Sequence, residues 1–449
     1  MTTSITVGFI SLGCAKNLVD SEHMASVLRA EGIALARSPE EADVILVNTC
    51  GFIGDAKAES VDAILRACDL KKAGGCRAVI VAGCLIQRYK AELQRAIPEV
   101  DAFIGLDQLP EIGRVVRRLA AGEHGILEVS AVSRKVFSPL PTRLILTGGP
   151  FAYLKIAEGC NHQCAFCAIP GIRGRYRSRG IPDIVREAET LLGQGIRELN
   201  LISQDTTRYG HDLKDGTNLP ELLRQLGRIG GKFWIRLLYG HPAWLSDELL
   251  DTMGAIPQVC RYLDIPIQHA NPDVLRAMKR PGAAAAVREF PDRARNRLPG
   301  VVLRTTCLVG FPGETVAQFN DLVRFVRETE FDHLGVFAFS PEETTAAATL
   351  PRQVSAAAGQ RRRDTLMAVQ QEIAFRKARA HRGQSDEVLL LRPARKDLWQ
   401  ARSRGQAPEV DGQILVRGAG TKVRPGAMIP VRYTGCTGYD LKAEAKDLG

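Results

Sequence analysis

The runs ADVILVNTC (42–50) and RAVIVAGC (77–84) are almost wholly apolar, and each leads into a stretch of helical character. A strand with no polar face must be covered on both sides, so such strands belong in a parallel sheet flanked by helices. The opening ITVGFISLG has the same form, followed by the helical NLVDSEHMASVLRAEG that ends at Gly32. Helices over 55–72 and over LIQRYKAELQRAI complete three βα units. The first hundred residues thus predict a small doubly wound α/β domain.

The alternation resumes at residue 151. FAYLKIA, IRELNLIS, FWIRLLY, YLDIPIQ, VVLRTTCLVG and HLGVFAFS read as strands, with helical stretches between them, for example 182–194, 219–228 and 315–329. Six βα units in roughly 190 residues suit an incomplete (β/α)6 barrel. Residues 106–145 read as a linker with a helix near 110–121 and one or two strands. A basic helical stretch, QRRRDTLMAVQQEIAFRKARAHRG, follows the barrel. After it EVLLLRP, DGQILVRG and AMIPVRYTG alternate with Gly and Pro turns, the pattern of a small antiparallel β-barrel. The expected boundaries are 1–105, 106–145, 146–380 and 381–449.

No stretch of about 18 apolar residues is present, and the N-terminus lacks the pattern of a signal peptide. Both point to a cytoplasmic protein. Thiols stay reduced there, so the eleven cysteines are metal ligands, reactive groups or small buried residues rather than disulfides. The net charge of +10 suggests a polyanionic partner, RNA or a ribonucleoprotein surface.

Three cysteines crowd the stretch AEGCNHQCAFCAIPGIRGRYRSR (157–179): Cys160, Cys164 and Cys167. A four-iron cluster and a tetrahedral zinc both normally take four thiolates. Three leave one metal position open for a substrate or cofactor. His162, inside the loop, is a candidate fourth ligand. A second set lies far apart in sequence. Cys14, Cys50 and Cys84 each end a predicted strand of the first domain, next to Gly13, Gly51 and Gly83. Carboxyl ends of strands in an open α/β sheet face the ligand crevice, so these thiols can converge on one object. Cys68 in a helix and Cys76 in a Gly-rich turn lack that placement. Cys260, Cys307 and Cys436 read as small buried residues.

Cys160-x-x-x-Cys164-x-Phe166-Cys167 at the top of the first barrel strand resembles the radical S-adenosylmethionine enzymes. The resemblance implies a four-iron cluster whose open iron chelates S-adenosylmethionine and whose electron splits it to a hydrogen-abstracting radical. LVGFPGET, with Gly310, Pro312, Gly313 and Glu314, resembles that family's cofactor-contacting turn. LISQD would bring Ser203, Gln204 and Asp205 to the same place. The whole order of domains is similar to the methylthiotransferases, whose first domain holds a second four-iron cluster on such a triad and whose last module is called TRAM. SLGCAKNLVDSE resembles their opening signature, with Ala15 where proline is common.

YLDIPIQHANPDVLRAMKRPG, RLLYGHP, RTTCLVGFPGET, APEVDG and GYDLKAEA are similar to the RimO-like branch, which modifies the β-carbon of an aspartate in small-subunit ribosomal protein twelve. The alternative is the MiaB-like branch, which methylthiolates isopentenyl-adenosine in tRNA. Residues 381–449 carry twelve basic and eight acidic residues, a modest +4. Such a barrel can bind RNA or grip a protein lying against RNA. Asp264, His269, Arg236 and His241 are candidates to line the barrel mouth. The resemblance implies two uses of S-adenosylmethionine: one to methylate a sulfur at the first-domain cluster, one to be reductively cleaved at the barrel cluster. It also implies a sulfur donor and an electron donor such as flavodoxin or ferredoxin. The cleavage site is expected to lie wholly in the barrel, so that removing 381–449 would weaken protein modification more than cofactor cleavage. Electron carriers and RNA binders with structural metal are the rival classes; neither needs two open three-cysteine sites.

Overall fold

The computed structural model describes residues 5–136, 142–280, 282–420 and 423–446. Pro281, within the branch-marking stretch, and residues 137–141 of the expected linker lie outside them. The first sheet is wholly parallel. Its strands are β1 (Thr6–Ser11), β2 (Ala34–Leu35), β3 (Val44–Thr49), β4 (Ala78–Gly83), β5 (Ala102–Ile104) and β6 (Ile126–Glu128), in the order 2-1-3-4-5-6. β3 and β4 are buried along their whole length, as their apolar runs require. The helices are α1 (Ala15–Ala30), α2 (Gly54–Lys72), α3 (Cys84–Ala96) and α4 (Ile112–Ala120). Two apolar cores, one on each face of the sheet, confirm double winding. β2, β5 and β6 are too short to show a period in sequence. Through β5 and β6 the sheet runs on into the stretch read as a linker.

The second sheet starts with β7 (Phe151–Lys155). A small ribbon of β8 (Ala157–Glu158) and β9 (Arg177–Ser178) follows, with the short helix α5 (Ile169–Arg173) between its strands. Then come β10 (Glu198–Ile202), β11 (Trp234–Leu237), β12 (Val259–Asp264), β13 (Val302–Val309) and β14 (His333–Ala338). All six long strands are parallel and in sequence order, an open partial barrel as expected. Its helix-facing side chains form the largest core of the molecule.

A helix over Ala356–Ala380 leads to the terminal barrel: β15 (Ser385–Arg395), β16 (Leu398–Ser403), β17 (Ile414–Arg417), β18 (Met428–Thr437) and β19 (Asp440–Ala445). It is closed in the order 15-16-17-19-18. Four pairings are antiparallel, but β17 pairs β19 in parallel, which alternating turn signals could not reveal.

The terminal barrel is built into the radical-type barrel. Leu389 and Ala407 pack with Tyr153, Trp234, Leu238 and Tyr262 inside it. Glu409 accepts the Tyr153 hydroxyl at 2.7 Å, and Asp411 accepts Tyr262 at 2.6 Å and pairs Arg304 at 2.7 Å. APEVDG is therefore a plug in the barrel interior. Arg236 is corrected in the same way: it lies fully buried facing this plug, bonded to Glu198 at 2.8 Å and to the Arg404 carbonyl at 2.7 Å, and not at the mouth. Removing 381–449 would strip these partners, so the deletion cannot spare the barrel.

Glu198 is fully buried between Arg236 and Arg402. Burial pushes its carboxyl up, but Arg402 and Arg236 outweigh burial and hold it below the ordinary value of 4.5. Glu198→Ala should lower stability by about 3–5 kcal/mol, because two buried guanidinium groups lose their anion. The wild-type contribution is complete above the ordinary value and is lost as pH falls through the lowered one. Urea unfolding at pH 7 and at acid pH checks this: the gap in midpoint between variant and wild type should be wide at pH 7 and narrow in acid. A constant gap would contradict the assignment.

Candidate active site at the domain junction

The first domain gathers its three strand-end cysteines. Cys14 caps α1, Cys50 follows β3 and Cys84 opens α3. Their loops touch. A Cβ on Gly13 would lie 2.8 Å from Cβ and 3.2 Å from Sγ of Cys50, and one on Gly51 would lie 2.8 Å from the Cys84 carbonyl oxygen. Gly13 (φ +91°) and Gly83 (φ +97°) also hold backbone that side chains rarely adopt, which brings the turns this close. Burial pushes the Cys84 thiol up to about 12; Arg173 opposes, and Cys14 and Cys50 add to the rise. Burial also raises Cys50, again with a contribution from Cys14. Such thiols stay protonated until a bound metal displaces the proton into solvent. Cys68 and Cys76 are buried in the core on one face of the sheet, away from the group.

Cys160, Cys164 and Cys167 form the second group. The Cys160 amide donates to the Gly174 carbonyl at 3.0 Å, the Cys167 amide to Cys164 at 3.0 Å, and the His162 amide to Cys160 Sγ at 3.4 Å. Burial lifts the Cys160 thiol to about 11 and Cys167 to about 12, and raises Cys164. Arg280 stands beside all three. It is buried, donates to the Pro266 carbonyl at 3.3 Å, and its Nε has no partner among the described residues. An orphaned buried guanidinium beside three thiols fits an anionic group there.

Among the described residues no three His, Cys, Asp or Glu side chains converge tightly enough for a single metal ion. Tetrahedral zinc, with bonds of about 2.3 Å, needs sulfurs about 3.8 Å apart. A four-iron cluster takes its thiolates on separate irons and so from more widely spread ligands. His162 turns elsewhere: its Nε2 lies 2.6 Å from Asp205 Oδ2, and its ring stacks on His241 at 4.5 Å.

Around the second group, Phe166 packs on the barrel core and Ser203 is buried, accepting the Asp205 amide at 3.1 Å. Gln204 is half-buried. Gly310 adopts φ +75°, and Pro312 beside it is buried. Glu314 is fully engaged: it accepts the Gly310 amide and pairs Arg362 at 2.9 Å, with His269 at 3.3 Å. Asp264 accepts the Tyr239 amide at 3.0 Å.

The two groups meet across one junction. Ala168 and Ile172, just after Cys167, pack in the same core as Cys84. Arg173 of α5 donates to Asn17 at 3.1 Å and to Asp20 at 2.8 Å, and Asn17 Oδ1 lies 3.6 Å from Cys84 Sγ. Lys155, at the end of β7, reaches Asp20 at 2.5 Å. Sequence reasoning missed Lys16, Asn17, Asp20 and Glu22, all buried on α1. The available signal was a helix with charged residues where its neighbours carry an apolar stripe.

Residues 6–105 match a family described as uncharacterized protein family UPF0004, 154–326 the radical SAM superfamily, and 383–445 the TRAM domain. The chain is 46% identical to the ribosomal protein uS12 methylthiotransferase RimO of Syntrophus aciditrophicus, over 98% of each chain. It is 47% identical to the protein of that name from Symbiobacterium thermophilum, over 99% of this chain and 91% of the other. The chain belongs to the RimO family. It is thus a radical S-adenosylmethionine transferase, and the family implies S-adenosylmethionine and four-iron clusters as cofactors. Two solved structures share its fold. One is the radical S-adenosylmethionine methyltransferase TsrM of Kitasatospora setae (TM-score 0.58, 14% identity, 77% of this chain and 74% of that one). The other is the cobalamin-dependent radical enzyme OxsB (TM-score 0.53, 13% identity, 83% and 56%).

Replacing Cys160, Cys164 and Cys167 with Ala should abolish deoxyadenosine release from S-adenosylmethionine while iron on the first domain remains. Replacing Cys14, Cys50 and Cys84 should roughly halve iron and sulfide per chain and leave some release. The pair Cys68→Ala and Cys76→Ala should change neither. Iron analysis and chromatography of the nucleoside products decide it; iron loss in the Cys68/Cys76 pair would overturn the strand-end assignment.

Proposed function

We propose that this protein adds a methylthio group to the β-carbon of an aspartate in ribosomal protein uS12, with one four-iron cluster on each cysteine triad. What supports this is the link from Cys84 through Asn17 to Arg173, on the short helix that follows Cys167. The naming of the RimO relatives supports the choice of target. When bound, the clusters and S-adenosylmethionine supply hydrogen abstraction and sulfur.

The chain's own work is to hold these parts in line and keep water out. The six cysteines are the ligands, and Arg280 offsets charge beside the barrel set. Phe166, Ser203, Gln204, Gly310 and Pro312 border the cofactor, and Glu314 braces the Gly310 turn from behind. The catalytic unit spans the first domain, to about residue 105, and the barrel, about 146–380. The terminal domain after 380 closes the barrel and presents the grip for the target. A sulfur donor and a small electron carrier such as flavodoxin or ferredoxin complete the reaction. A ribosomal target places the protein in the cytoplasm. Among the described residues no helix is long and apolar enough to cross a membrane.

The test is one side-by-side assay. Reduced, cluster-loaded enzyme is given S-adenosylmethionine, sulfide, uS12 and tRNA bearing isopentenyl-adenosine, and both acceptors are analysed by mass spectrometry. A methylthio group on the protein and none on the tRNA is expected. The opposite result would replace the target and leave the two-cluster reading in place. A protein reader should also lose less affinity with salt than a reader of many phosphates.

A further inference from the structure

Lys16 sits in the first turn of α1, two residues after Cys14, and is only 5% exposed. Its Nζ lies over the ring of Tyr239, 3.0 Å from the centroid, just past the carboxyl end of β11. The side chain thus crosses from the first domain to the barrel mouth. Among the described residues it makes no hydrogen bond and no ion pair; the ring is its direct contact, while Cys14, Asp264 and Glu158 act on its charge from further off and Arg173 opposes them. A buried ammonium without a paired anion is unfavourable, and a cation–π contact alone does not offset its desolvation.

The other cations of the junction are already matched. Lys155 and Arg173 share Asp20 and Glu158. Arg304 serves Asp264 at 3.5 Å and Asp411 at 2.7 Å. Arg280 stands at the barrel thiols, away from Lys16's own triad. Asp264, the acid nearest Tyr239, is occupied by the Tyr239 amide and Arg304.

Tyr239 is itself held in an uncommon state. It is a non-glycine residue at φ +62°, fixed by its amide to Asp264 and by its carbonyl, which accepts the Thr206 amide at 2.9 Å. Backbone strain of this kind persists where the surroundings over-determine it, and it clusters at ligand sites. The result is a fixed ring that holds the Lys16 ammonium where the first domain meets the mouth of the barrel.

We propose that Lys16, resting on Tyr239, is the positive group that receives the carboxylate of the acceptor aspartate. This rests on the reading that the acceptor is an aspartate. The carboxylate is attached to the carbon that reacts. Anchoring it at Lys16 puts that carbon between the site of hydrogen abstraction, on the barrel, and the site of sulfur supply, on the first domain. An amide in its place would keep the shape and lose the charge. Lys16 is thereby the residue that selects an acid over its amide.

The test compares uS12 with a version whose acceptor aspartate is changed to asparagine, as competitors for binding to the cluster-loaded enzyme. Wild type should prefer the acid by about 10- to 100-fold, the range of a charge-assisted hydrogen bond. Lys16→Met, which keeps length and loses charge, should shrink that ratio to about twofold or less. Lys16→Arg should retain part of it. Iron and sulfide should match wild type in both variants. Absence of preference in wild type, or a full preference in Lys16→Met, overturns the proposal. Loss of first-domain iron in Lys16→Met with the preference unchanged does so too, and makes Lys16 a partner of the cluster instead. If wild type puts no methylthio group on uS12 at all, the proposed function falls, and this inference with it; that outcome is separate from the binding ratio.

Discussion

A buried ionic network along α1 fixes the geometry on which the rest depends. Asp20 is held by Lys155 and Arg173, and Glu22 by Arg143, which also reaches Glu187 at 2.6 Å. These groups come from the first domain, from the segment before the barrel and from the barrel itself. Buried pairs of this kind add little net stability, because desolvation opposes their attraction, but breaking one partner is costly. Their effect is orientation. They tie α1, which begins at Cys14, to the barrel and to the helix that follows Cys167.

A second contact line works at the far edge of the same interface. Glu342, after β14, is almost fully buried and takes Lys57 at 2.8 Å and Arg88 at 3.1 Å. Tyr89 bonds the neighbouring Glu343 at 2.9 Å. Two separated anchors resist rocking better than one. The reacting groups have to meet within a fraction of an ångström, so this rigidity belongs to the mechanism.

The barrel has only six strands and is open, so its interior needs a filling that its own strands do not provide. The terminal domain supplies it with Leu389, Ala407, Glu409 and Asp411. The filling is polar as well as apolar, which explains the tyrosines, Arg236, Arg304 and Glu198 inside a barrel where aliphatic layers are usual. The terminal domain is accordingly part of the barrel's support.

By itself the sequence determined the three-domain order, all six barrel strands, the strand ends that carry Cys14, Cys50 and Cys84, and the Cys160–Cys167 loop. These are written in local patterns: apolar runs, helical period and close spacing. The short strands β2 and β5 and the parallel β17–β19 pair were not legible, since two to six residues show no order of their own until neighbours pair with them. Tertiary structure alone decided that His162 answers Asp205, that Arg236 belongs to the plug, that Glu314 braces a turn, and that Lys16 stands unpaired above Tyr239. Each is a choice of partner among residues far apart in the chain. Charged groups choose partners by which sites burial leaves open, and burial is a property of the assembled fold.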